Sequence, residues 1–228
     1  MKIFTCNAVI ISNINISAPG NSPNTDGIKV SNSNNTQISD SVISAGDDCI
    51  SFLPNSNNIN ITRVHYGPGH GFSIGSISSG TVTNLNIRNS SLVGTQNGVR
   101  IKTKAHPSQP GNVAYITFEH IEMDKVGNPI VIDQNYCPGH GCSEKESSQV
   151  QINNVNFNNI WGTSSTKTAV TFNCSRSKPC YEIQLRDINL SKGGATMRCE
   201  GVPTPHPRHF SNPCNYVKPL EKGSPSVR

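Results

Sequence analysis

The chain has 228 residues, of which 33% are hydrophobic and 14% charged, with a net charge of +5 and a sequence pI of about 8.8. That length supports one domain with a real core; recurring apolar positions exclude a disordered chain, and a shortage of Leu, Ala and Glu beside abundant Asn, Ser, Thr, Ile and Val excludes a helical one. No stretch approaches membrane-spanning length, and 6% aromatics with no run of five Lys or Arg argues against a membrane or nucleic-acid partner, while the mild basic excess suits an acidic polymer.

Short segments alternating apolar and polar residues, the period of a strand, recur along the chain. In order they are Ala8–Ile11, Gly27–Val30, Thr36–Ile38, Cys49–Phe52, Ile59–Ile61, Gly71–Ile74, Leu85–Ile87, Gly98–Ile101, Tyr115–Phe118, Pro129–Ile132, Val150–Ile152, Ala169–Phe172 and Glu182–Leu185. Every second one carries a matching inward residue: Ile28, Ile50, Phe72, Val99, Ile130 and Val170, at steps of 22, 22, 27, 31 and 40 residues. A variable period above 20 with several short strands per repeat describes stacked coils whose length changes fall in loops. The rival, an antiparallel sandwich, needs tight hairpin dipeptides, and the single Asn97-Gly98 precedes a strand instead of joining two. The expected fold is therefore all-β, a right-handed parallel β-helix over residues 1–200, with a Pro-rich segment over 201–228.

In such a fold each coil lies about 4.8 Å above the last, so residues one period apart form a column. Asp26, Asp48 and His70 stand 22 residues apart, twice over. Polar residues concentrate around them: Asp26-Gly27 on the first of these coils, Gly46-Asp47-Asp48 on the second, Gly69-His70-Gly71 on the third. On the fourth, Arg100 and Lys102 share the outer face while Val99 and Ile101 point inward; the fifth ends Asp133-Gln134-Asn135-Tyr136. Taken singly, Asp26 and Asp48 are ordinary turn residues, Arg100 and Lys102 a solvated face, and His70 a loop residue. Their joint placement points to a site. Glycoside hydrolysis needs a carboxylic acid at the leaving oxygen and a carboxylate to activate water or attack carbon, and crowded carboxylates raise one another's pKa. A basic pair beside an acidic cluster fits a sugar chain that itself carries carboxylates.

The eight cysteines include three close pairs, Cys137/Cys142, Cys174/Cys180 and Cys199/Cys214, each able to staple a local loop. The first is expected as a disulfide and not a zinc site, since no second Cys/His pair stands at ligand spacing. Six N-x-[ST] sequons, at Asn15, Asn34, Asn60, Asn89, Asn173 and Asn189, join the cysteines in suggesting a secreted protein. Met1 to Phe4 begins like a leader but the apolar run breaks at Cys6-Asn7, so the N-terminal coils and their cap are expected to be missing. His106, His206 and His209, beside prolines, are expected on exposed loops.

Asn24-Thr25-Asp26, Gly46-Asp47-Asp48, Gly69-His70-Gly71 and Arg100-Ile101-Lys102, in that order, resemble the polygalacturonase family (glycoside hydrolase family 28). The run Ser22–Ile28 and Asn135-Tyr136-Cys137 resemble its plant branch, with pollen-type exopolygalacturonases among the nearest. The resemblance implies inverting hydrolysis of α-1,4-galacturonosyl bonds in pectin by a secreted, cell-wall-acting monomer with no metal or organic cofactor. It implies Asp47 as general acid, Asp26 and Asp48 as residues that position and deprotonate water, and His70 as support for the acid. Arg100 and Lys102 would bind a substrate carboxylate and Tyr136 would line the adjoining subsite. The family commonly pairs the cysteine after Gly-Asp-Asp with one just before Gly-Pro-Gly-His; here that position is Tyr66, leaving Cys49 without its usual partner. Ile77-Ser78-Ser79-Gly80 also replaces a longer charged stretch. Two other readings stand beside this one: a calcium-dependent lyase on the same fold, and a silent β-helix fragment that binds pectin or serves as an allergen-like surface protein.

Overall fold

The chain is rich in Asn because it must turn many corners without breaking its hydrogen-bond ladders. In the computed structural model, which describes residues 1–105, 109–138, 142, 147–190, 196–202 and 214, nineteen non-glycine residues have positive φ, ten of them Asn and two Asp. These short polar side chains tolerate the left-handed region best. They stack. Asn13, Asp40, Arg63, Asn89, His120, Asn159 and Asp187 follow one another at the same register position on successive coils, each with φ near 50°. Their neighbours bond across coils: Asn55 donates to Asn32 Oδ1 at 2.9 Å and Asn57 to Asn34 Oδ1 at 2.9 Å.

The coils run in order as β1 (Lys2–Phe4), β2 (Asn7–Ser12) and β3 (Asn15–Ser17); β4 (Ile28–Ser31) and β5 (Asn34–Ser44); β6 (Ile50–Phe52) and β7 (Ser56–Tyr66); β8 (Phe72–Ile77) and β9 (Gly80–Val93). They continue as β10 (Asn97–Lys104) and β11 (Gly111–Val126); β12 (Asn128–Tyr136) and β13 (Val150–Ser164); β14 (Thr168–Asn173) and β15 (Tyr181–Leu190); and β16 (Thr196–Glu200). One sheet has the order β1-β4-β6-β8-β10-β12-β14-β16 and the other β15-β13-β11-β9-β7-β5-β2, with β3 also on β5. Every pairing between them is parallel, as stacked coils require and an antiparallel sandwich forbids.

The core lies between the sheets. Ile28 faces Ile50, and Phe72, Val99, Ile130 and Val170 follow in register, all buried. Deeper in the stack Phe118, Phe157 and Phe172 lie nearly parallel, with ring centroids 5.2 and 6.0 Å apart. Each such side chain contributes roughly 1.5–3 kcal/mol by burial. The three close cysteine pairs are disulfides, and Cys6 and Cys49 are free thiols.

The expected strand bounds need correction. The expected strands cover only the central residues of longer ones in the second sheet, because β5, β7, β9, β11 and β13 pass through their corners at 11–16 residues each. Lys2–Phe4, outside the segments expected as strands, pairs with β4. His106, His206, His209 and residues 203–228 other than Cys214 lie outside the described residues.

Candidate active site

The turns that lead into β4, β6 and β8 lie one above another. Gly27 N–H donates to the Asp48 carbonyl at 3.0 Å and Cys49 N–H to the Gly71 carbonyl at 2.8 Å, so the backbones at Asp26, Asp48 and His70 are adjacent rungs. Gly71 makes the third rung possible. Its φ is +87°, and a Cβ there would stand 2.2 Å from the Asn97 carbonyl oxygen and 2.4 Å from that of Gly98. Only glycine fits both demands.

The Asp48 side chain is 5% exposed and fully engaged. Its Oδ1 accepts from Ser73 Oγ at 2.6 Å and Arg100 Nη2 at 2.9 Å, and its Oδ2 from Lys102 Nζ at 3.1 Å. Arg100 Nε also donates to Ser73 Oγ at 3.2 Å. Lys102 in turn lies 5.4 Å from the Tyr136 ring centroid. Burial lowers the pKa of Lys102, against the pull of Asp48.

Asp26 Oδ2 accepts from Ser51 Oγ at 2.7 Å and stands 3.4 Å from Lys29 Nζ. Burial raises the Asp26 pKa, and the charges of Asp48 and Asp47 push the same way; Ser51 and Lys29 act against them. Asp47 is more open. Its Oδ1 lies 2.8 Å from His70 Nδ1, and its carbonyl accepts both the His70 N–H and the Tyr66 hydroxyl. Tyr66 therefore props the Asp47 backbone from beneath. Burial pushes up the pKa of Tyr66 and of the neighbouring Cys49, so both are neutral groups here.

All seven side chains singled out from the sequence thus meet on one face: Asp47 with His70, Asp26 and Asp48 on adjoining rungs, Arg100 and Lys102 on Asp48, and Tyr136 beside Lys102. Arg100 and Lys102, expected to bind a substrate carboxylate, both hold Asp48 in this structure. One ligand atom each from Asp47, Asp48 and His70 falls within 4.8 Å of the others. A cation placed among them would face Arg100 and Lys102 on the same carboxylate, which makes the cluster poorly suited to a metal.

The sequence model of glycosyl hydrolases family 28 matches residues 1–210. The chain belongs to that family. It is 40% identical to an exopolygalacturonase of Platanus acerifolia over 227 residues, 98% of this chain and 57% of that one. It is 42% identical to polygalacturonase-2 of Solanum lycopersicum over 226 residues, covering 96% and 48% respectively. Among solved structures, a polygalacturonase from Erwinia carotovora superposes with a TM-score of 0.71 at 27% identity, over 89% of this chain and 52% of that one. The chain thus spans about half the length of the curated relatives it matches.

Within this family-28 chain, several residues of the face escaped the sequence reading. Lys29, Ser51 and Ser73 follow one another in register and at 22-residue steps, the rhythm that revealed the aspartates. Applying that rhythm to strand residues as well as turn residues would have found them. Asp133 pairs in register with Lys102 and accepts from Asn135 N–H at 3.0 Å and Asn173 Nδ2 at 3.1 Å. Its pKa is raised, chiefly by burial. Cys49 is free and buried, as the Tyr66 substitution led one to expect.

Proposed function

We propose that this chain hydrolyses α-1,4-galacturonosyl bonds of pectin or polygalacturonate, with inversion. The observation that carries the reading is the shared face: an accessible Asp47 bonded to His70, beside two buried aspartates of which one is clamped by two cations. Asp47 donates a proton to the glycosidic oxygen as the bond to the anomeric carbon breaks. Water attacks that carbon from the opposite side and gives up its proton to Asp26 or Asp48. The hydroxyl stays on the anomeric carbon, so one water is consumed for each bond cut. His70 at Asp47 Oδ1 orients the acid. Arg100 and Lys102 keep donors beyond those used on Asp48, and these can meet a uronate carboxylate while Tyr136 packs against its sugar.

The disulfides and sequons support an extracellular, cell-wall setting, with glycosylation and a monomeric state as further parts of the proposal. The decisive experiment measures reducing-sugar release from polygalacturonate by the chain and by Asp47→Asn, with chromatographic sizing of the products. Release that disappears in Asp47→Asn supports the proposal, with monomer alone meaning exo action and a ladder endo action. No release from the unaltered chain would refute hydrolysis, and retained binding would then favour the silent pectin-binding reading.

A further inference from the structure

Arg100 and Lys102 lie on one side of the aspartates; on the other side stands a cation for which the proposed mechanism has no role. Lys29 is the third residue after Asp26, at the start of β4, pointing outward between buried Ile28 and Val30. Its side chain is 42% exposed, against 13% for Arg100 and 9% for Lys102. Its acidic partner, Asp26 Oδ2, is 3.4 Å away and also accepts from Ser51. Lys29 is therefore the most accessible of the three cations that touch the aspartates, with ammonium hydrogens left for solvent; its register partner Lys2 on β1 is more exposed but touches none of them.

The register sets its distance from the basic pair. Lys29 pairs with Ser51, Ser51 with Ser73, and Ser73 with Arg100, so three rungs, about 14 Å at the usual strand spacing, separate the two backbone positions, and the heads of Arg100 and Lys102 reach back across two of them to Asp48. Asp47 and Asp48 occupy one level between the two positions and His70 the other, while Asp26 shares the level of Lys29. A polymer laid across the coils passes Arg100 and Lys102, then the carboxylates, then Lys29.

We propose that Lys29 binds a substrate carboxylate on the far side of the bond being cut, so that the uronate chain is gripped on both flanks of the aspartates. This rests on the polygalacturonate reading above. It makes Lys29 a specificity residue for de-esterified galacturonate, because a methyl ester offers the ammonium no charge to pair with.

The test compares the unaltered chain with Lys29→Met, Lys29→Arg and, as a distant control, Arg88→Met on the exposed side of β9. Affinity is read by titration calorimetry with a galacturonate oligomer and with its methyl-esterified counterpart, and KM by reducing-sugar release. Lys29→Met is expected to weaken binding of the free acid and raise KM about tenfold, the loss of one partly exposed charge-assisted contact. Lys29→Arg should restore most of it, Arg88→Met should change neither, and the esterified oligomer should be affected far less. Unchanged affinity in Lys29→Met would overturn the inference, as would an equal loss on both oligomers, which would mean that Lys29 acts only through Asp26. If the unaltered chain binds no galacturonate oligomer and releases no sugar, the functional reading itself fails and this inference falls with it.

Discussion

Replacing Asp48 by Asn tests the electrostatic design of this face, because shape is nearly preserved while the charge that two buried cations share is removed. Contacts of 2.9 Å from Arg100 and 3.1 Å from Lys102 each correspond to roughly 5 kcal/mol of attraction at an effective dielectric of about 20. Desolvating the three ions costs several kcal/mol apiece, so the intact triad is worth much less than that sum. Breaking it is another matter: two cations remain buried without a counter-charge, and the expected cost is about 3–5 kcal/mol. Urea denaturation at neutral pH measures it. Adding Lys102→Met to Asp48→Asn should recover about 1–2 kcal/mol, since one stranded cation is gone. Lys102 already has a lowered pKa, and removing Asp48 takes away its main support, so the value falls further. Between that lowered value and 10.5 the unfolded chain binds more protons than the folded one, so stability rises with pH. The difference between the single and double variants should accordingly shrink on going from neutral pH toward 10.5. A cost below about 1 kcal/mol for Asp48→Asn, or a pH-independent difference, would refute the buried-triad reasoning.

Two further substitutions probe separate parts of the molecule. Ser51→Ala removes a hydrogen bond that lowers the Asp26 pKa; the already raised value climbs again, and the acid limb of the kcat/KM profile should move to higher pH, with an unmoved limb counting against Asp26 as an ionised participant. Phe157→Ala deletes the middle ring of the Phe118–Phe157–Phe172 stack and should cost about 3–5 kcal/mol by thermal or urea unfolding, with little change in KM because the rings lie far inside the core.

The repeat was legible because the inward positions are apolar without exception: Ile28, Ile50, Phe72, Val99, Ile130 and Val170 mark one column even where loops stretch the period. The local disulfides were legible because a five- or six-residue spacing leaves few other partners. Strand lengths were not. A corner residue such as Asp40, Asn89 or His120 interrupts the alternation, so a continuous 11-residue strand such as β5 reads as one short piece and an unassigned remainder. Thr196–Glu200 was missed because it has hardly any apolar residues of its own, being carried by its pairing with β14. At the site, spacing placed the turn carboxylates on adjacent rungs. It could not show that Arg100 and Lys102 reach across two rungs to Asp48, since long flexible side chains choose their partners only after the coils have stacked. The neutral supports, Tyr66 under Asp47 and the serines on Asp26 and Asp48, carry no signal until the rungs are known.

Rungs about 4.8 Å apart bring carboxylates closer than inversion commonly uses, so stereochemistry examines the proposed mechanism most sharply. Proton NMR of a polygalacturonate digest, recorded as the first bonds break, reports the configuration of each new reducing end before mutarotation. Water activated among Asp26 and Asp48 and a proton supplied by Asp47 predict the β-anomer first. An α-anomer appearing first would contradict direct water attack, and no new reducing end at all would contradict hydrolysis by these stacked aspartates.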